Sequence, residues 1–223
     1  MSPLPTETIE LKAADGHRFD ACRAAPTDKP RGGIVIVQEI FGVNEHVRGV
    51  ARQYADAGYL AIAPALFDRA ERKADVPYSD MATGYALMQR LKPEQTLLDL
   101  KAAIDAVSPA GRVCMVGFCW GGTMTYAAAC HLPLAAGVAY YGGGLPRLLE
   151  HTPKCPVMFH FGENDAHIPP GDIDKVKKAY PLGHYYLYPA DHAFNRAGHP
   201  PYDAPSAVLA FERTLDFLHR HVG

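Results

Sequence analysis

The sequence carries no excess of either charge: 24 acidic residues stand against 22 Lys and Arg, for a formal net charge of −2. Nothing electrostatic therefore points to nucleic acid or an anionic membrane as partner. No apolar run approaches the ~20 residues of a membrane span. Met1-Ser2-Pro3-Leu4-Pro5 lacks a basic segment leading into an apolar one, so no export leader is expected. Cysteines are few, odd in number and scattered (Cys22, Cys114, Cys119, Cys130, Cys155). Without a CxxC pair they suggest neither a disulfide framework nor a zinc knuckle. Free thiols and no leader favour a reducing, cytoplasmic setting. Repeats, low-complexity tracts and interdomain linkers are also missing, which leaves one domain over residues 1–223. Its 48% hydrophobic content suffices for a core without staples.

What is present is an alternation of strand and helix signals. Two alternating runs, at 8–11 and 18–22, flank Asp15-Gly16 and predict an antiparallel hairpin. Ile34-Val35-Ile36-Val37 is a β-branched run typical of a strand buried on both faces. Helical spacing of Val47, Val50, Ala51, Tyr54 and Ala55, with Asn44 as N-cap and Gly58 at the close, predicts a helix over 44–57. A buried strand over 59–64, a charged excursion over 68–77, and helices over 79–91 and 93–107 follow. The second of those helices has Pro at its first turn. Further strands are expected at 113–116, 135–141, 155–161 and 184–188, with helices from 123 to 130, over 172–180 and over 205–221. The pattern is that of an α/β fold with a mostly parallel, doubly wound sheet and an N-terminal antiparallel hairpin.

The chemistry centres on Gly117-Phe118-Cys119-Trp120-Gly121-Gly122. A strand before it and an Ala-rich helix after it make the arrangement of a nucleophile elbow, with Cys where Ser is usual. Flanking glycines let the backbone turn sharply without a Cβ clash. Ligands of an open parallel sheet bind beyond the carboxyl ends of its strands. Those ends carry Glu39, Cys119, Asp165 and His192, and the order nucleophile, acid, histidine is that of α/β-hydrolases. Cys119 would attack as the thiolate, the form favoured by a helix N-terminus and an imidazole. His192 would carry the proton, and Asp165 would orient it, with Glu163 competing for that role. An inert core cysteine, a surface histidine (the chain has eleven) and a solvated loop carboxylate are the alternatives. Backbone N–H groups of Trp120 and Ile40 are expected to form the oxyanion hole. Arg196 could clamp a substrate carboxylate. Tyr78, Tyr85, Tyr140 and Tyr141 are candidates to line the pocket, with core packing as the alternative. His219 and His221 face different ways on a helix and no carboxylate–histidine set has ligand spacing, so no metal is expected.

Three segments, Gln38-Glu39-Ile40-Phe41-Gly42-Val43-Asn44, the elbow, and Asp191-His192-Ala193-Phe194, together resemble the dienelactone hydrolase (carboxymethylenebutenolidase) family over nearly the whole chain. The resemblance implies an α/β-hydrolase fold, a Cys119–His192–Asp165 triad, and a Glu39 that helps activate the cysteine. It also implies no metal or organic cofactor. Of the two arginines that hold the substrate carboxylate in that family's founding enzymes, Arg196 matches one. The other falls in the excursion, where Arg69 and Arg72 stand. Trp120 is bulkier than the aliphatic residue expected beside the nucleophile.

The sequence is thus read as a hydrolase of a lactone or small carboxylic ester acting through a cysteine acyl-enzyme, a monomer or weak homodimer. The other readings are a carboxylesterase or thioesterase of the same fold, a non-catalytic small-molecule-binding protein, and a redox role for the thiol, for which no resolving cysteine is evident.

Overall fold

The computed structural model describes residues 4–223, so the first three residues of the Met1–Pro5 stretch read for an export leader lie outside it. Among the described residues no helix is long and apolar enough to cross a membrane. The chain forms two compact units, Met1–Val113 with Val222–Gly223, and Cys114–His221.

In the first unit, β1 (Thr6–Lys12) and β2 (Arg18–Ala24) form the antiparallel hairpin, in register from Thr6 opposite Ala24 to Lys12 opposite Arg18. Gly16 takes φ +90° at its turn, a conformation open to glycine without a Cβ penalty. β2 pairs antiparallel with β4 (Leu60–Pro64), and β4 pairs parallel with β3 (Gly33–Val37). Every residue of β3 is buried. Helix α1 (Glu45–Asp56) is capped by the Asn44 side chain, which accepts from the Val47 N–H. It buries the five apolar residues that its spacing singles out. Helix α2 (Met81–Gln89) is shorter than its expected span because Asp80 caps it, accepting from Thr83 N–H at 3.1 Å. Helix α3 (Pro93–Val107) starts on its proline. The charged excursion after β4 opens with a 3₁₀ turn, Leu66–Arg69, and its Asp75 bridges to Gly42.

In the second unit β5 (Val113–Phe118), β6 (Ala136–Tyr140), β7 (Val157–Gly162) and β8 (His184–Tyr188) run side by side, all parallel. Phe118 pairs with Tyr140, Tyr140 with His160 and Gly162 with Tyr188, so the strand ends stay nearly level. Helix α4 (Trp120–His131) starts three residues earlier than expected, immediately after Cys119. Gly121 and Gly122 are poor helix formers, but packing overrides propensity here. A Cβ on Gly117 would lie 2.0 Å from the Gly121 carbonyl oxygen, and one on Gly122 would lie 2.6 Å from that of Tyr140. The glycines let α4 sit directly on the strand ends. Helices α5 (Pro170–Ala179) and α6 (Ala204–His221) complete the unit.

Gly117→Ala therefore forces backbone atoms apart and should destabilise the chain by about 3 kcal/mol, read as a drop in urea midpoint. An unchanged midpoint would show that the elbow tolerates a Cβ there.

Candidate active site

Cys119 occupies the N-cap of α4 with φ 55° and ψ −117°. An L-residue with a side chain rarely adopts that backbone, which costs on the order of 1–3 kcal/mol. Local hydrogen bonds hold it. The Cys119 N–H donates to Tyr140 O at 3.0 Å, and its own carbonyl accepts from Gly122 N–H at 3.0 Å and Thr123 N–H at 3.2 Å. The thiol stands at the end of β5, partly exposed, while the other four cysteines are buried. Burial pushes Cys114, Cys130 and Cys155 up, the latter two to about 11, and so keeps them as inert thiols.

Asp165 and His192 come from the loops after β7 and β8. Asp165 Oδ2 accepts from His192 Nδ1 at 2.7 Å, and Asp165 Oδ1 accepts from the His167 N–H at 2.8 Å. Ile168 N–H returns to Asp165 O at 3.3 Å. This turn sinks the Asp165 carboxylate into the protein at 6% exposure. Glu163, the competing acid of the same loop, faces solvent. The two loops are tied together by Glu163 N–H to Tyr188 O at 2.8 Å and Asn164 N–H to Ala190 O at 3.1 Å. With Nδ1 held by the carboxylate, Nε2 is left for the Cys119 side chain, which also hydrogen-bonds the imidazole. Burial works against a charged ring here. The hydrogen bonds with Asp165 and Cys119 outweigh it and hold His192 up at about 10. The nucleophile, acid and base predicted from strand ends are thus brought together.

Behind them lies a polar chain whose proton positions follow by elimination. Thr214 Oγ1 donates to Ala210 O at 2.8 Å, so it can only accept from Tyr140 OH at 2.8 Å and from His160 Nε2 at 3.0 Å. The proton of His160 then sits on Nε2, and Nδ1 accepts from Tyr188 OH at 2.8 Å. The Tyr188 oxygen in turn hydrogen-bonds Arg213. Burial, with the Arg213 charge nearby, pushes His160 down to about 3 and keeps it neutral. This chain ties the ends of β6, β7 and β8 to α6. The Phe194 ring, two residues past His192, packs on Tyr188 (5.0 Å between centroids) and Tyr140 (6.3 Å).

The remaining candidates divide. In the first unit, Glu39 and Ile40 follow β3 and are buried. Tyr78 accepts a hydrogen bond from Asn44 Nδ2 at 3.0 Å and sets its ring against Phe41. Tyr85, on α2, is 41% exposed. Trp120 is the first residue of α4, where N–H groups point away from the helix. Arg196 is buried in the loop after His192, its N–H on Ala193 O at 2.9 Å. Arg69 departs from its expected substrate-binding role. Its guanidinium is held by Asp99, through Nε at 2.6 Å and Nη2 at 2.7 Å, and by Asp15, through Nη1 at 2.8 Å and Nη2 at 3.2 Å. With Asp99 fully buried, Arg69 is the partner that makes that carboxylate tolerable. Arg72 is likewise engaged, by Arg18 O and Asp20.

Sequence reasoning missed His167. The spacing Asp165-Ala166-His167 is that of an Asx turn, and it would have placed residue 167 beside the acid.

Residues 19–222 match the family model for dienelactone hydrolases. The chain is 35% identical to the carboxymethylenebutenolidases of Pseudomonas putida and of Pseudomonas knackmussii, over 96% of each chain. A crystal structure of a presumed dienelactone hydrolase from Klebsiella pneumoniae superposes with a TM-score of 0.82 at 30% identity, covering 97% of this chain and 99% of that one.

The His192 imidazole, near 6.5 in an unfolded chain and about 10 here, binds a proton in the folded state that the unfolded state has lost. Its stabilising contribution is complete below about pH 6.5 and is lost as pH rises through about 10. Asp165→Asn removes the principal raising partner, so stability should fall less steeply between about pH 7 and pH 10 than in the parent. Urea titrations across that range decide it, and parallel slopes would refute it.

Proposed function

The chain belongs to the dienelactone hydrolase family, and we propose that it hydrolyses a lactone or small carboxylic ester through an acyl-enzyme on Cys119. The reading rests on one observation: a cysteine on a strained elbow hydrogen-bonded to an imidazole that a buried carboxylate holds at 2.7 Å. The nucleophile is the Cys119 thiolate, beside the charged His192 ring. The thiolate attacks the acyl carbon, and charge develops on the carbonyl oxygen. The Trp120 N–H, at the N-terminus of α4, receives that charge. As the tetrahedral species collapses, His192 gives its Nε2 proton to the leaving alkoxide, and a thioester remains. Water then attacks the thioester while the neutral imidazole takes its proton. Collapse expels the Cys119 thiolate and yields the acid beside a recharged imidazolium. Asp165 keeps Nδ1–H in place in both halves.

The names of the relatives support a butenolide carrying a carboxylate as the substrate we propose. Arg196 is the residue we assign to that carboxylate. Since the family match spans both compact units, we read them as parts of one α/β-hydrolase domain. Five free thiols suit a reducing cytoplasm, where we place the protein as a monomer or weak homodimer.

Cys119→Ala should lower turnover of a chromogenic ester or a dienelactone by about 10⁴-fold or more while leaving the circular dichroism unchanged. Retained hydrolysis by the folded variant would sink the acyl-enzyme. Arg196→Ala should cost acidic lactones roughly 10- to 100-fold in kcat/KM, the worth of a charged hydrogen-bonded pair, and neutral esters far less. Equal losses on both would remove the clamp.

A further inference from the structure

Two rings abut the imidazole of His192. Tyr141, the residue after β6, lies 5.0 Å away between centroids, tilted by 58°. His167 lies 4.9 Å away at 67°. Tyr141 is fully buried and His167 is exposed, so one ring belongs to the core and the other to the surface.

Neither position is incidental to the local chain. Tyr141 takes φ 38°, unusual for a bulky residue. Gly142, the next residue, could adopt that conformation without strain. The strain persists because the surroundings fix it. The Tyr141 N–H donates to His160 O at 2.7 Å, and its ring meets Phe194 edge-on at 5.5 Å. A strained backbone at such a place is a mark of function. His167 is fixed by the catalytic carboxylate itself. Asp165 Oδ2 holds the His192 ring while Asp165 Oδ1 holds the His167 N–H. One side chain therefore sets both the base and the ring laid against it.

We propose that Tyr141 and His167 are positioning residues, a pair of π surfaces that hold the charged imidazole of His192 in line between Asp165 and Cys119. The physical basis is the attraction of a planar cation for electron-rich ring faces, which strengthens when water is excluded. Neutral imidazole gains less. The clamp therefore favours His192 as it gains its proton in deacylation, and its effect falls on turnover more than on substrate binding. In the second unit the other groups facing His192 are Asp165 and Cys119 on its side chain and Asp191, whose Oδ1 accepts from its N–H at 2.9 Å. All three are left in place by substitutions at 141 and 167.

The proposal rests on His192 as the base. It is tested by ¹⁵N-histidine NMR titration of the full chain, a readout that does not require hydrolysis, together with kcat and KM on a chromogenic ester. Tyr141→Leu and His167→Ala should each lower the His192 midpoint by about half to one unit, up to a tenfold change in equilibrium. They should also lower kcat by a few-fold to tenfold with KM nearly constant, while Tyr141→Phe and His167→Phe keep both values near the parent's. A His192 midpoint unmoved in both ring-removing variants overturns the clamp, even if kcat or thermal stability falls. A parent chain that hydrolyses no ester or lactone would instead undo the hydrolase reading, and the titration would still report on the clamp. His167→Ala, at an exposed position, guards against a Tyr141 variant that fails to fold.

Discussion

Cys119 holds a backbone conformation that a side chain disfavours, and much of the second unit is arranged to keep it there. The strain lifts the thiol beyond the end of β5 instead of leaving it against the sheet. It survives because Gly117 and Gly122 let α4 approach the strand ends more closely than any Cβ would allow. Hydrogen bonds from the Cys119 N–H to Tyr140 O, and from the Gly122 and Thr123 N–H groups to Cys119 O, fix both sides of the turn. The helix N-terminus and the thiol thereby share one place, and the conformation that makes the elbow also supplies its electrostatics.

A second constraint concerns His192. His192 stands on a loop with Ala193 at φ 61° and no glycine between 184 and 197. Its placement is borrowed from neighbours: Asp165 at Nδ1, the backbone links between the two loops, and the His160 chain beneath. The two histidines of this region are opposites. His160 is buried without a carboxylate and stays neutral, whereas His192 is nearly as enclosed but has Asp165 and stays charged. Environment, not residue type, assigns the chemistry.

Arg69 shows the reverse lesson. In sequence it is a cation in an irregular excursion, a plausible partner for an anionic substrate. Its carboxylates come from Asp15, 54 residues away at the hairpin turn, and Asp99, 30 residues away on α3. No local pattern announces an ion pair assembled at that separation, and a buried Asp99 without it would be costly.

The sequence by itself determined the strand–helix alternation, because hydrophobic periodicity and caps act within a few residues. It determined the elbow for the same reason, through glycine spacing around Cys119, and it located Asp165 and His192 by their places just past strands. Tertiary structure decided what depends on distant neighbours. It buried Asp165 against His192 and left Glu163 exposed. It began α4 at Trp120 despite two glycines, since packing on the strand ends outweighs helix propensity. It also set Tyr141 and His167 against His192, a juxtaposition of residues 26 apart that only the parallel neighbours β6, β7 and β8 could bring about.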